Sequence, residues 1–453
     1  MTEQTPTKKN FRHYMYFLFG QQFSMLGSLI VGFTITWWIT VETGSMVYLS
    51  ISTFLMFLPQ IIVTPFAGVL ADRWNKKAIL AISDSLQAFV TLLLFLFFLV
   101  DFQSIWLVLA MNTFRAALFA FQLPTVHTLI PSMVPPENLS RINGMNFLFN
   151  GLIFSIGPVI AATLLAFFTI EQIFLIDIFT FLAAAVPLLI IKIPKIHQIT
   201  EESIVELTEE PAKKSFFKDY KSGMKAIKLV PGLMAMIVFA MIWNFIMRPW
   251  NVLMPYFVKY VHGGSALDLA ILGFSFQLAS IIGAVITMVK KDFKSKIKIN
   301  IIGASFYFVC LIPAILAPTG NFLFMMISIF PAAVIFPITV TTYLTILQKV
   351  VPKDKIGRVM SLDHMISMAI APIGALISGP LAELLGIINL YIIFAIIGLV
   401  YPTLIWFFTK IRRLEAIEQE VTRQVALAKE QEIVVQAAQA REQKITEVIE
   451  IVE

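Results

Sequence analysis

Apolar residues run along this chain in long blocks, broken by short polar turns. Each block has about twenty residues or more, enough for a helix to cross a hydrocarbon layer about 30 Å thick. The predicted helices are Phe11–Thr40, Met46–Val69, Ala78–Val100, Ile105–Ile130, Leu139–Phe168 and Ile170–Ile193, then Gly232–Tyr256, Leu267–Val289, Ile297–Leu316, Phe322–Leu347, Ile356–Leu385 and Ile387–Thr409. One long connection, Pro194 to Val230, divides them six and six. It mixes glutamates with lysines and reads as a solvated tether, with Phe216–Lys228 spaced for a short amphipathic helix on a membrane surface. Beyond Arg412 there is no Pro or Gly. Leu414, Ile417, Val421, Ala428, Val435 and Ala438 recur there at roughly heptad spacing, interrupted by Gln424 and Gln431. That pattern predicts a solvated helical tail; self-association or partner binding is the alternative.

The expected fold is therefore an all-α polytopic membrane protein of twelve transmembrane helices in two six-helix halves. Its expected parts are residues 1–193, a central loop 194–230, residues 231–411 and a tail 412–453. An internal repeat supports the two halves. Residues 125–141 align without a gap on residues 342–358, so that Thr125 meets Thr342, Val134 meets Val351, Pro135 meets Pro352 and Arg141 meets Arg358. The same offset brings Gly157 onto Gly374. Two halves in the same orientation are the plan of carriers whose substrate binds near the midplane between them.

Composition agrees with this picture. Of 453 residues, 58% are hydrophobic and 14% charged, against roughly 45–50% and 25% in soluble domains. The first block is too long for the core of a secretory signal. The net charge of +6 comes from cations in short loops, where they set topology; it does not point to nucleic acid. Those loops hold Arg73, Lys76 and Lys77, then Lys290 to Lys298, then Lys349 to Arg358, and Lys410, Arg412 and Arg413 follow the last helix. The expected location is the cell membrane, multi-pass, with these loops and both termini cytoplasmic. Cys310 stands alone, so there is no intramolecular disulfide, and no metal-spaced His/Cys cluster, phosphate loop or nucleophile elbow is present. No enzyme, metal or cofactor is expected. Active transport would have to draw on an ion gradient or a partner ATPase.

The turn Gly68-Val69-Leu70-Ala71-Asp72-Arg73-Trp74-Asn75-Lys76-Lys77 lies between the second and third helices. It resembles the loop signature of the major facilitator superfamily. Gly68, Leu70, Ala71, Asp72, Arg73 and Lys77 match directly, Lys76 replaces an Arg, and Asn75 stands where the family has a second Gly. Asn is expected there to take the left-handed conformation of a tight turn. The resemblance implies the major facilitator fold, with Gly68, Asp72, Arg73, Lys76 and Lys77 as a cytoplasmic gate. The equivalent stretch of the second half, Gly283 to Asp292, lacks the Asp-Arg pair.

Ionisable residues inside apolar helices are costly and point to function. Arg115 lies about 15 Å into the fourth helix, and resembles the family's fourth-helix arginine, which is linked to proton coupling. Asp177 lies in the sixth helix. It is read as the proton carrier, or else as half of a permanent bridge to Arg115 or a group satisfied by a hydrogen bond. Gly157-Pro158 with Ala161 and Ala162 resembles the family's antiporter motif with Ala for two glycines; small residues there still let helices approach closely. Gln22, Asn150, Asn244 and Arg248, among aromatic residues, are candidates for a cavity that takes an amphipathic small molecule. Arg248-Pro249 predicts a kink in the seventh helix. Asp84 and the pair Asp363–His364 read as gate or packing groups.

Within the superfamily, the first half looks most like macrolide-efflux-type drug–proton antiporters. The residues carrying this are Gly20-Gln21-Gln22, Ser24, Gly27-Ser28, the Gly68 loop, Arg115, Pro131 to Pro135 and Leu175-Ile176-Asp177. The resemblance implies proton-coupled efflux by alternating access, with protons, an amphipathic substrate and the bilayer as partners. Export or flipping of a lipid-like or siderophore-like metabolite is the rival expectation, and a transporter-like scaffold or sensor a more distant one.

Overall fold

The computed structural model describes residues 8–190, 216–290, 293, 295–352, 355–424 and 427, and among these every regular element is a helix. Helices α1 (Lys8–Thr43), α2 (Met46–Arg73), α3 (Lys76–Leu99), α4 (Ile105–Met133), α5 (Leu139–Phe167) and α6 (Ile170–Ile190) form the first group. Then come α7 (Phe216–Leu229), α8 (Leu233–Ile246), α9 (Arg248–Tyr256), α10 (Ala266–Val289), α11 (Lys296–Ile315), α12 (Phe322–Val350), α13 (Ile356–Ala369), α14 (Ala371–Leu385) and α15 (Ile387–Phe408). A last helix, α16, covers 411–424. Twelve spans are long and apolar enough to cross a membrane. The face at which α1 begins and α15 ends is here called the terminal face; the other is the distal face.

Two predicted single helices are broken in ways the sequence explains. The seventh span breaks at Met247, just before Pro249, and ends in a π turn, Phe257–Val261. The eleventh breaks at Ile370, before Pro372. A proline ring displaces the carbonyl four residues back, and both prolines sit in the first turn of the following helix, where the missing N–H is not needed.

The loop after α2 is built differently from the expectation. Asn75 does not enter the left-handed region; it has φ −65° and ψ 108° and caps α3. Its Oδ1 accepts hydrogen bonds from the backbone N–H groups of Lys77 (3.0 Å) and Ala78 (3.4 Å). Asn is among the best N-caps because it satisfies donors that the first helical turn leaves free. A glycine could not do this.

Helix α7 forms where the sequence placed an amphipathic helix, but its apolar side is covered by protein. Ala226 and Ile227 are buried, and Gly223 lies against Leu362 and Arg358 of α13. The rest of the central loop, 191–215, and the tail beyond 427 lie outside the described residues, as do the side chains of Gly68, Asp72 and Arg73.

The two groups of helices meet along two seams, α2 with α14 and α5 with α10. Ala162 packs against Ala266 and Ala270, so the small residues of the antiporter-like motif do let helices close up. Ser45 donates to Glu383 at 3.2 Å, and the Tyr260 hydroxyl donates to the carbonyls of Thr40 and Val41 at 3.2 Å. These contacts all lie toward the distal face. Many large apolar side chains point outward, such as Phe147 (81% exposed) and Phe408 (83%), which suits a lipid surroundings.

Candidate functional site

Three helices of the first group carry polar residues at helical spacing, and a fourth carries a single acid. On α1 these are Gln21, Ser24 and Ser28; on α3, Asp84, Gln87 and Thr91; on α4, Arg115 and Gln122; on α6, Asp177. Residues three, four and seven apart share a helix face, and here the faces converge. The result is a buried polar layer in an apolar bundle.

Asp177 is its centre. It is 3% exposed, and Arg115 is 6% exposed. Arg115 Nη2 donates to Asp177 Oδ2 at 2.9 Å, and Thr91 Oγ1 donates to the same oxygen at 2.8 Å. Ser28 Oγ donates to Oδ1 at 3.1 Å. Three helices thus aim donors at one carboxylate. Gly27 makes the approach possible, since a Cβ there would run into the Thr180 hydroxyl and come within 3.1 Å of Asp177 Oδ1.

A second carboxylate sits beside the first. Asp84 is 4% exposed and accepts from Gln21 Nε2 at 3.0 Å; Gln122 Nε2 in turn donates to Gln21 Oε1 at 2.7 Å. Asp84 Oδ1 and Arg115 Nε are buried with no hydrogen-bond partner among the described residues. Asp84 and Asp177 line one small cavity of about 20 Å³, with Ser24, Ser28 and Gln87. That volume suits about one water molecule. The sequence reading left Asp84, Thr91 and Gln122 out of the candidate coupling set. The spacing Asp84, Gln87, Thr91 was the signal that could have found the α3 face.

The substrate-cavity candidates do not converge on one place. Gln22 Nε2 meets Asn150 Oδ1 at 3.4 Å between α1 and α5. Asn244 bonds its own helix at the Ala240 carbonyl and lines a larger cavity in the second group. Arg248 donates to Asn244 through Nε and Nη2, at 3.3 and 3.5 Å, and lies over the Phe57 ring of α2 at 5.1 Å. It therefore turns toward the seam between the groups and does not line that cavity. Of the gate residues, Lys77 Nζ donates to the Leu189 carbonyl at the end of α6, at 2.6 Å. Among the described residues no group of three or more His, Cys, Asp or Glu could hold a metal.

Twelve spans, two seams and a buried ion pair between the fourth and sixth helices define a membrane carrier. The chain belongs to the Major Facilitator Superfamily, whose model matches residues 17–372. It is similar to macrolide efflux protein A of Streptococcus pyogenes, 26% identical over 372 residues, covering 81% of this chain and 89% of that protein. The Enterococcus faecalis macrolide efflux protein A is 27% identical over 335 residues, covering 73% and 99%. The fold is also that of a bacterial homologue of the iron transporter ferroportin in its inward-facing state, with a TM-score of 0.63 at 15% identity over 90% of this chain and 98% of that one.

Proposed function

We propose that the protein exports amphipathic, drug-like or macrolide-like compounds across the cell membrane in exchange for protons. The observation that carries this reading is the buried Arg115–Asp177 pair with its two hydroxyl donors. A proton arriving on Asp177 removes one charge of the pair and leaves Arg115 buried without its partner. Breaking a buried ion pair from one side costs about 3–5 kcal/mol. That is enough to shift a balance between two conformations by two orders of magnitude or more. Asp84, across a cavity that suits one water, is placed to pass a proton to or from Asp177.

The moving parts are the two six-helix halves, which rock about the seams α2–α14 and α5–α10. With both termini cytoplasmic, contacts gathered at the distal face are those of an inward-facing carrier. In the opposite state the Gly68 loop, with Asp72, Arg73, Lys76 and Lys77, would close the cytoplasmic side. The similarity to macrolide efflux proteins supports the direction and the kind of cargo.

The test is flux in proteoliposomes, measured for macrolides, dyes and lysolipids with and without an imposed pH gradient. Gradient-driven uptake of a macrolide by the wild type, lost in Asp177→Asn, is the expected result. Flux that ignores the gradient would remove proton coupling. Movement of lysolipids alone would favour export of a lipid-like metabolite.

A further inference from the structure

The second half holds a cavity of about 330 Å³ that the proton-coupling site does not touch. Its volume falls at the lower end of small-molecule sites, roughly 300–1,000 Å³. Phe239, Trp243 and Phe336 give it aromatic walls, and Asp363 gives it one acid. Asp363 is 8% exposed. Its Oδ1 is anchored twice, by the Tyr343 hydroxyl and by Ser367 Oγ at 3.4 Å. Its Oδ2 accepts no hydrogen bond among the described residues, and Asp363 lines the cavity.

Charge makes this site incomplete. Among the described residues, salt bridges join Arg115 to Asp177 and Lys296 and Lys349 to Glu418, and none reaches Asp363. Arg248 is spent on Asn244 and on Phe57 of the first half. His364, the next residue, and Tyr343 also line the cavity and are the other titratable side chains beside Asp363; an imidazolium at His364 would offset the acid's charge only in part. A nearly buried carboxylate held by neutral hydroxyls is stabilised by any cation brought to it. Aromatic faces favour a cation too, and accept an apolar body beside it.

We propose that this cavity binds the ammonium group of a basic amphipathic molecule, with Asp363 Oδ2 as counter-ion and Phe239, Trp243 and Phe336 around the apolar body. That the ligand is cargo rests on the export reading; that it is a cation does not. The predicted first helix, Phe11–Thr40, carries no acid. The acid is supplied by α13 in the other half.

The experiment uses the full chain purified in detergent and two naphthalene amphiphiles that differ only in the head, trimethylammonium in one and tert-butyl in the other. The heads are matched in shape, so a difference reports charge. Wild type is expected to bind the ammonium probe at least tenfold tighter. Asp363→Asn should abolish that preference, and Asp363→Glu should keep most of it. In wild-type protein the ammonium probe alone should protect Asp363 from a hydrophobic carbodiimide, read by mass spectrometry; this needs no variant to fold. Equal binding of both probes, binding of neither, or protection by both would overturn the proposal. So would a preference that survives in monodisperse Asp363→Asn. Gradient-driven macrolide flux without an ammonium preference overturns the amine site and leaves export standing. An ammonium preference without gradient-driven flux does the reverse.

Discussion

Gly27 shows how much one missing side chain can arrange. It brings α1 against α6 where Ser28 reaches Asp177, and a methyl group there would overlap Thr180. Gly27→Ala should cost about 1–3 kcal/mol through overpacking, seen as a lowered melting temperature in detergent, and gradient-driven flux should fall with it. Asp84→Asn is expected to keep the fold, since an amide can still bond Gln21, while slowing gradient-driven flux; unchanged flux at all pH values would take Asp84 out of the proton path. Arg115 and Asp177 were legible as single residues because charge inside an apolar run stands out. Their pairing was one of two open readings. Asp84 was visible but read as a gate or packing group, because its neighbours Gln21 and Gln122 come from helices that sequence spacing cannot bring together.

At the level of elements, the repeat read from the sequence recurs in backbone detail. Helix α4 ends with the Val134 N–H on the Ile130 carbonyl at 2.9 Å, and α12 ends with the Val351 N–H on the Leu347 carbonyl at 3.2 Å. Both valines are extended and both precede a proline. Asn138 then donates to Pro135, and Lys355 to Pro352, each at 2.9 Å. Thr125 and Thr342, matched in the alignment, are both buried. The proline pattern stops each helix because the residue before Pro avoids the helical region. The distal seam depends on another close approach. At Gly379 a Cβ would overlap the Met46 carbonyl of α2. Gly379→Ala should push α2 and α14 apart and weaken closure of the distal side. Spin labels at Ser45→Cys and Glu383→Cys, in a Cys310→Ser background, should then report a longer and broader distance than in the parent; an unchanged distribution would show that the seam does not depend on Gly379.

The whole molecule adds a tie between its tail and its second half. Leu414 is fully buried and Ile417 packs on the core, so the start of the heptad-like seam is used within the chain. Glu418, 3% exposed, accepts from Lys296 at 3.0 Å and from Lys349 at 2.7 Å, which joins α16 to the terminal-face ends of α11 and α12. Burial, the largest influence, works to raise the Glu418 carboxyl. The hydrogen bonds and charges of Lys349 and Lys296 together outweigh it and hold the group below its ordinary value of 4.5. A depressed carboxyl contributes stability that is present above its unfolded value and lost as pH falls through the folded one. Docking of α16 should therefore hold from neutral pH down to about that value and loosen only in stronger acid. Glu418→Gln should loosen it at neutral pH, with faster amide exchange across 411–424 while the twelve spans stay protected. Equal exchange in variant and parent would mean that apolar packing alone holds the helix.

By itself the sequence determined the twelve spans, the repeated α4 and α12 endings, the family and the presence of Arg115 and Asp177 inside apolar helices. These depend on local quantities: the length of apolar runs, the placement of proline, and the cost of an ion in hydrocarbon. Only the tertiary structure decided which polar faces meet, and so made one layer of Gln21, Asp84, Thr91, Arg115 and Asp177. It also decided that Asn75 caps a helix, that α7 lies on protein, and that Asp363 lines a cavity. The physical reason is common to all three. A helix pattern fixes which side chains share a face, but which face another helix covers depends on close approaches, at Gly27 and Gly379, between residues far apart in the chain.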